Sequence, residues 1–288
     1  MDNPLVSVVI PCYNADKFIG DTIRSVIGQD FQDWELIVVN DGSCDNSEKI
    51  IQTFNDERIR YFYKENSGVA DTRNFGISIA KAPLIAFLDA DDLFQPENLS
   101  LKVAFLLENV AFGFVHSQEI KFDATQELET TVGQGGDVLD QLLAMQAVIH
   151  SPSSVIVRKN LLVSINCFDI KLSTSADWDL WVRLSNITKL GFIEKPLVKY
   201  RLHSNQMHSN IPLMEKDMLY ALKKFKQNNL FKMNNQKKYC FAKLYLILAA
   251  CYRKDHVDYK KFFKYLIYSF FTNPLPIFER LFNMFKKT

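Results

Sequence analysis

At 288 residues, 48% hydrophobic and 23% charged, the chain is of a size to bury one substantial core and a small second unit, with the composition of an ordinary globular protein. The net charge of +1 conceals an asymmetry: residues 210–288 hold 16 basic against 5 acidic residues, leaving 18 and 28 in residues 1–209. Five scattered cysteines without a C-x-x-C pair argue against a zinc site or a disulfide framework, and no run reaches the ~20 apolar residues that span a bilayer.

Met1-Asp2-Asn3-Pro4 lacks the basic segment and apolar core of a secretory signal, so a cytoplasmic protein is expected. Leu5 to Ile10 reads as a first strand, stopped by Pro11 and followed by the loop Cys12-Tyr13-Asn14. Apolar residues then recur at Ile19, Ile23, Val26 and Ile27, a helical spacing. A second strand, Glu35 to Val39, ends at Asn40-Asp41-Gly42-Ser43, and Asp45 with Glu48 resembles a capping box opening another helix. A third strand covers about Ile59 to Tyr63; after Glu65-Asn66-Ser67-Gly68 a helix is expected near Val69–Ala80. The β-α-β-α-β-α-β alternation predicts a parallel sheet covered by helices.

The fourth strand, Leu84 to Leu88, runs directly into Asp89, Asp91 and Asp92. In open parallel sheets ligands bind beyond the carboxyl ends of strands, where these acids fall. Crowded carboxylates repel one another unless a cation neutralises them, and Asp89 and Asp91, two apart, point the same way in an extended chain. Two hard oxygen ligands suit Mg²⁺ or Mn²⁺. Read alone, the same acids also fit helix capping with Asp92 as N-cap. An EF-hand is excluded, because its glycine and closing glutamate positions hold Phe94 and Ser100. There is no G-x-x-x-x-G-K-[ST], no G-x-G-x-x-G after the first strand and no Gly-x-Ser-x-Gly, which disfavours a kinase, a dehydrogenase or an α/β-hydrolase.

Further on, Gly133-Gln134-Gly135-Gly136 reads as a flexible loop and Ser154 to Val157 as a strand. In Ser175 to Leu184, Trp178, Trp181 and Val182 share a helical face, with Asp177 at the helix mouth. A carboxylate partly desolvated by tryptophan has its pKa raised toward values useful in a base; capping by Asp177 or Asp179 is the competing reading. In Tyr200-Arg201-Leu202-His203, Arg201 and His203 alternate onto one side; a lone histidine is usually structural, and the competing reading is that one beside an arginine after a strand-like run reaches a metal-bound diphosphate. The tail from 211 carries a helical stripe (Met214, Met218, Leu222, Phe225) and an apolar helix from Leu244 to Tyr252. At its end Ile277, Phe278, Leu281, Phe282 and Phe285 oppose Arg280, Lys286 and Lys287. Such a basic amphipathic pattern suits an anionic membrane surface; domain capping and homodimer formation are the alternative.

Taken together, the motifs resemble the family 2 glycosyltransferases, inverting enzymes of the GT-A fold, from Val6 to about Ser209. Val8 to Asn14 is similar to the family's opening strand and loop. Asn40-Asp41-Gly42-Ser43 and Asn66 to Asn74 are similar to its second and third motifs, with Asp71 where alanine is usual. Asp89-Ala90-Asp91-Asp92 resembles D-x-D, Ala176 to Trp181 resembles E-D-x-D-L-W without its glutamate, and Arg201-Leu202-His203 resembles R-x-H. Asn166-Cys167-Phe168-Asp169 stands where Gly-Gly-Phe-Asp is usual.

The resemblance implies an α/β domain over 1–210, Rossmann-like with a mostly parallel sheet and helices on both faces, and a helical extension over 211–288. It implies nucleotide-sugar contacts at Pro11, Tyr13, Asn14, Asp41, Ser43, Asn66, Arg73, Asp89 and Arg201, a Mn²⁺ or Mg²⁺ site at Asp91 with His203, and a general base at Asp177. The expected partners are a nucleotide-diphosphate sugar, UDP-linked, and a saccharide or lipid-linked acceptor; no nucleic acid is expected. A non-catalytic nucleotide-sugar-binding or scaffold protein of the same fold, or a sugar nucleotidyltransferase, would be the rival readings.

Overall fold

A computed structural model describes residues 3–203, 210–254 and 257–285, with the side chains of Leu281, Asn283, Met284 and Phe285 excepted. The expectations on Leu281, Phe285, Lys286 and Lys287, and the end of the resemblance at 204–209, therefore lie outside the described residues. The chain forms two compact units; the second takes in Leu139–Gln146 and Lys171–Ser175 besides the chain from 206 on.

The first unit alternates as expected: β1 Val6–Cys12, α1 Ile19–Ile27, β2 Trp34–Asp41, α2 Ser47–Ile51, β3 Ile59–Lys64, α3 Val69–Ile79 and β4 Leu84–Phe87. It continues through β5 Leu93–Phe94, α4 Asn98–Glu108, β6 Phe112–Phe122 and β7 Glu127–Thr130. Next come α5 Leu139–Leu143, which belongs to the second unit, then β8 Ile156–Arg158, α6 Lys159–Ser164, α7 Ala176–Ser185 and β9 Lys189–Arg201. The strands join in the order β3-β2-β1-β4-β8-β6-β9-β5, with β7 on β6. The first four are parallel, and β2, β4 and nearly all of β1 are buried, which is why they read as mainly apolar runs, interrupted by Ser7 and Glu35, which bond each other at 2.6 Å. Beyond β4 the sheet is mixed: β8 is antiparallel to β4 and β6, and β9 is parallel to β6. Helix α3 packs on β1 and β2, and α4 on β6 and β9.

Three local expectations are corrected. Pro11 does not stop β1, which runs to Cys12 with Pro11 opposite Val39. The β1–β4 pairing ends at Val9, so on that side Pro11 has no strand to which an N–H would be owed. The capping box does not form: Asp45 accepts from the Ser47 amide at 2.9 Å, but Glu48 turns to Gln52 at 3.0 Å. The glycine loop is tightly packed rather than flexible. Gly136 bridges to Leu190, and a Cβ at Gly135 would lie 2.8 Å from the Leu190 carbonyl, so only glycine permits that approach.

The second unit contains α8 Ile211–Gln227, α9 Asn234–Lys254, α10 Tyr259–Thr272 and α11 Leu275–Phe285. Leu222 and Phe225 of α8 and Leu244, Leu248 and Tyr252 of α9 are buried. Glu215 joins three helices: it accepts from Tyr252 and Tyr265 and from Lys261 Nζ at 2.9 Å. No helix among the described residues is long and apolar enough to cross a membrane.

Candidate active site

The carboxyl ends of β1, β2 and β3 form one rim. Asn14, in the left-handed region at φ 49°, is laced to the loop after β2: its amide donates to Ser43 Oγ at 3.0 Å and its side chain accepts from the Cys44 amide at 2.9 Å. Asn66 donates to the Asp41 carbonyl at 2.9 Å. The Asp41 carboxylate is 4% exposed and accepts from Lys64 Nζ at 2.7 Å and from the Ser67 and Gly68 amides, each at 3.0 Å. Burial alone would raise its pKa, but these donors hold it below the usual carboxylate range. Asp71 occupies the rim too, 3.1 Å from Lys64 and accepting from Ser67. Tyr13 lies exposed on the same loop as Asn14.

Because Asp41 holds the Gly68 amide just before Val69, it fixes the start of α3. One turn further, the buried Arg73 reaches Asp89 at 2.6 Å and lies over the Phe168 ring, 5.3 Å from its centroid. The second-strand acid and the fourth-strand acid are thus linked through a single helix.

At the tip of β4 the capping reading fails. Asp92 is fully buried; it accepts from Ser153 Oγ at 2.6 Å and from the Arg201 amide at 3.0 Å. Ser153 Oγ also receives the Asp89 amide at 3.0 Å, so one hydroxyl holds both ends of the acidic segment. Arg201 donates through Nε to the Asp91 carbonyl at 2.8 Å and sits between the rings of Phe18 and Phe122, at 4.9 and 4.6 Å. His203 Nε2 lies 2.7 Å from Asp91 Oδ2, with the Phe18 ring beside it. Burial, then the charge of Asp89, raises the Asp91 carboxyl above its ordinary value, while His203 opposes the shift.

Among the described residues no group of three or more His, Cys, Asp or Glu side chains is arranged around a metal position. The Asp91–His203 pair offers two donors, and Asp91, partly exposed and beside the negative charge of Asp89, gains from a neighbouring cation. That set fits a divalent ion that draws its remaining ligands from water and phosphate.

Asp177 opens α7, its Oδ1 2.7 Å from the Trp178 amide. Burial raises its pKa; the positive charge of Arg73 works against this and the negative charge of Asp89 adds to it. The carboxylate on α7 therefore shares an electrostatic environment with the acids on β4. Asp179 does something else. It pairs with Arg183, 2.7 Å away, whose guanidinium donates to the Ile165 and Cys167 carbonyls, each at 2.7 Å. That brace secures Asn166 and Cys167 at φ 60° and 51°, left-handed values that glycines would adopt without strain.

Residues 7–162 match the sequence model of Glycosyl transferase family 2. The chain belongs to this family. The family 2 domain is 32% identical to a putative teichuronic acid biosynthesis glycosyltransferase, TuaG of Bacillus subtilis, over 72% of this chain and 82% of TuaG. It is 29% identical to WfgD of Escherichia coli, named a UDP-Glc:alpha-D-GlcNAc-diphosphoundecaprenol beta-1,3-glucosyltransferase, over 73% of this chain and 82% of that one. Its fold is that of S. aureus TarS crystallised with UDP-GlcNAc, with TM-score 0.70 and 17% identity, covering 93% of this chain and 81% of TarS. The chain spans less than half the length of the first curated relatives it matches, glycosyltransferases of Rickettsia felis (44%) and Rickettsia bellii (29%).

Ser153, Lys64 and Phe18 contact the candidate site residues and escape sequence reading, while Asp71, visible there only as a departure from alanine, pairs with Lys64. Nothing in Ser151-Pro152-Ser153-Ser154 marks one serine as the partner of acids 61 and 64 residues upstream. Ser153→Ala leaves the buried Asp92 short of a donor and should cost about 1–3 kcal/mol of stability. Urea unfolding reads this directly; an unshifted midpoint would remove Ser153 from the role.

Proposed function

We propose that this domain is an inverting glycosyltransferase. It moves a sugar from a nucleotide diphosphate, UDP-linked, to a hydroxyl of a saccharide or lipid-linked saccharide, as in cell-surface polysaccharide synthesis. The observation that carries the proposal is the meeting of Asp177, Arg73 and Asp89 in one electrostatic neighbourhood at the sheet's carboxyl edge. The names of WfgD and TuaG support the acceptor class, and the UDP-GlcNAc bound to TarS supports the donor class.

Pro11, Tyr13, Asn14, Asp41, Ser43 and Asn66 form the rim for the nucleoside, a polar shelf already rigid through its own hydrogen bonds. Arg73 and Asp89 lie between that rim and the reacting sugar, and Arg201 presents positive charge to the diphosphate. Asp91 with His203 would hold Mn²⁺ or Mg²⁺, whose charge offsets the charge developing on a departing diphosphate. Asp177, with its raised pKa, takes the proton from the acceptor hydroxyl as that oxygen attacks the anomeric carbon from the face opposite the nucleotide. One displacement inverts the carbon.

Incubation with radiolabelled UDP-sugars, Mn²⁺ and a membrane extract tests the proposal. Label should enter a saccharide or lipid fraction, and EDTA should abolish the transfer. Donor binding without transfer or slow hydrolysis would make the chain a scaffold, and transfer unaffected by EDTA would remove the metal from Asp91 and His203.

A further inference from the structure

The second unit has an outward face that plays no part in the site. On α10, Tyr259, Phe263, Ile267, Phe270 and Phe271 are each at least half exposed, Phe271 at 81%. Their spacing of four, four, three and one places them on one arc of the helix. The opposite arc buries Tyr265 and Ser269. An amphipathic helix normally turns its apolar side inward; α10 buries one apolar side and shows a second to solvent. Leu275, Phe278 and Phe282 of α11 add three more exposed apolar side chains.

Along α10 itself the charge has one sign; the nearby acids are Asp258, which caps the helix, and Glu279 on α11, which accepts from Tyr239. Residues 259–272 contain three lysines and no acid. Lys261 is taken up by Glu215 and Tyr252, at 2.9 and 2.8 Å. Lys260 and Lys264 are exposed, one residue on from Tyr259 and Phe263, and so lie along one edge of the apolar arc. An aromatic stripe bordered by lysines matches a lipid interface: rings enter the acyl boundary while ammonium groups stay at the level of anionic headgroups. The strongly basic balance of residues 210–288 adds longer-range attraction of the same sign.

We infer that the outer face of α10 is the surface by which this protein lies on an anionic phospholipid membrane. Sequence periodicity pointed instead to the last helix, because it does not reveal which side of α10 the other helices cover. The inference stands apart from the transfer chemistry, and its failure would leave the proposed reaction untouched.

The test is co-sedimentation of the full chain with vesicles of phosphatidylglycerol and phosphatidylcholine, and of phosphatidylcholine alone. The expected result is binding that requires phosphatidylglycerol. Phe263→Ser with Phe271→Ser should lower the partition coefficient by about tenfold or more. Lys260→Glu with Lys264→Glu should lower it by at least about fivefold per lysine on anionic vesicles. All four side chains are exposed, so unchanged melting curves would confirm that the variants remain folded. Absence of vesicle binding, or binding that these variants do not alter, would overturn the inference. A chain that ignores vesicles and changes oligomeric state in the phenylalanine variant by sedimentation velocity would overturn it too, making the face a contact with a second copy.

Discussion

Asp177→Asn lowers turnover by about 10²–10⁴-fold while nucleotide-sugar affinity stays near the parent value, the range expected when a positioned general base is removed. Single-turnover rates alongside donor titration separate the two quantities, and equal turnover would take Asp177 out of the role. The acid limb of the parent's pH profile should lie above the ordinary aspartate range, because burial raises this carboxyl despite the nearby Arg73. A limb at the ordinary value would show a solvated group. The same burial supplies a control. An acid with a raised pKa holds its proton more tightly folded than unfolded, so stability falls as pH climbs from the unfolded to the folded pKa. The asparagine variant escapes that loss and should be no less stable at pH 7, with the difference closing in acid.

Lys102→Met should raise stability by about 2–4 kcal/mol at pH 7. Lys102 is fully buried on α4, its Nζ makes no hydrogen bond among the described residues, and its closest aromatic contact is Phe94 at 6.0 Å. Burial lowers its pKa to about 7, with the charge of Glu119 only partly opposing. Neighbouring His116 is buried as well and lowered to about 4, so it is neutral at pH 7 and adds no second positive charge. Between pH 7 and the ordinary lysine value the unfolded chain binds the extra proton. Parent stability should therefore rise with pH across that window, whereas the methionine variant stays nearly flat. Denaturant unfolding from pH 6.5 to 10 reads both effects. A variant less stable than the parent at neutral pH would mean that Glu119, deprived of the Lys102 cation, dominates.

Strands β1, β2 and β4 were plain in the sequence, because burial on both faces leaves mainly apolar runs; the buried Ser7 and Glu35 bond each other. The acids after Leu88 were legible because three carboxylates directly beyond such a run stand out, although Asp92 ends up fully buried on Ser153 and the Arg201 amide. What the sequence concealed is how those acids are held. Ser153 reaches Asp89 and Asp92 across the antiparallel β8 side of the sheet, and a serine in a Pro-Ser-Ser run carries no periodic signal. Asp41 was visible as a strand-end acid, but not its engagement by Lys64 and two backbone amides. Asn166 and Cys167 looked like a loss of the family's glycines; they nonetheless adopt left-handed φ values, held by an arginine sixteen residues or more downstream. The direction faced by α10 depends on which helices pack behind it, and no local pattern records that.

Strand β4 is only four residues long, and each has a fixed neighbour on β1, from Val6 opposite Leu84 to Val9 opposite Phe87. It therefore works as a gauge. Adding or deleting a single residue there would push Asp89 and Asp91 along by ~3.3 Å and rotate them to the other side of the sheet. Length variation among descendants of this chain should accordingly collect in the connections at the opposite edge, leaving the distance from Leu84 to Asp91 constant.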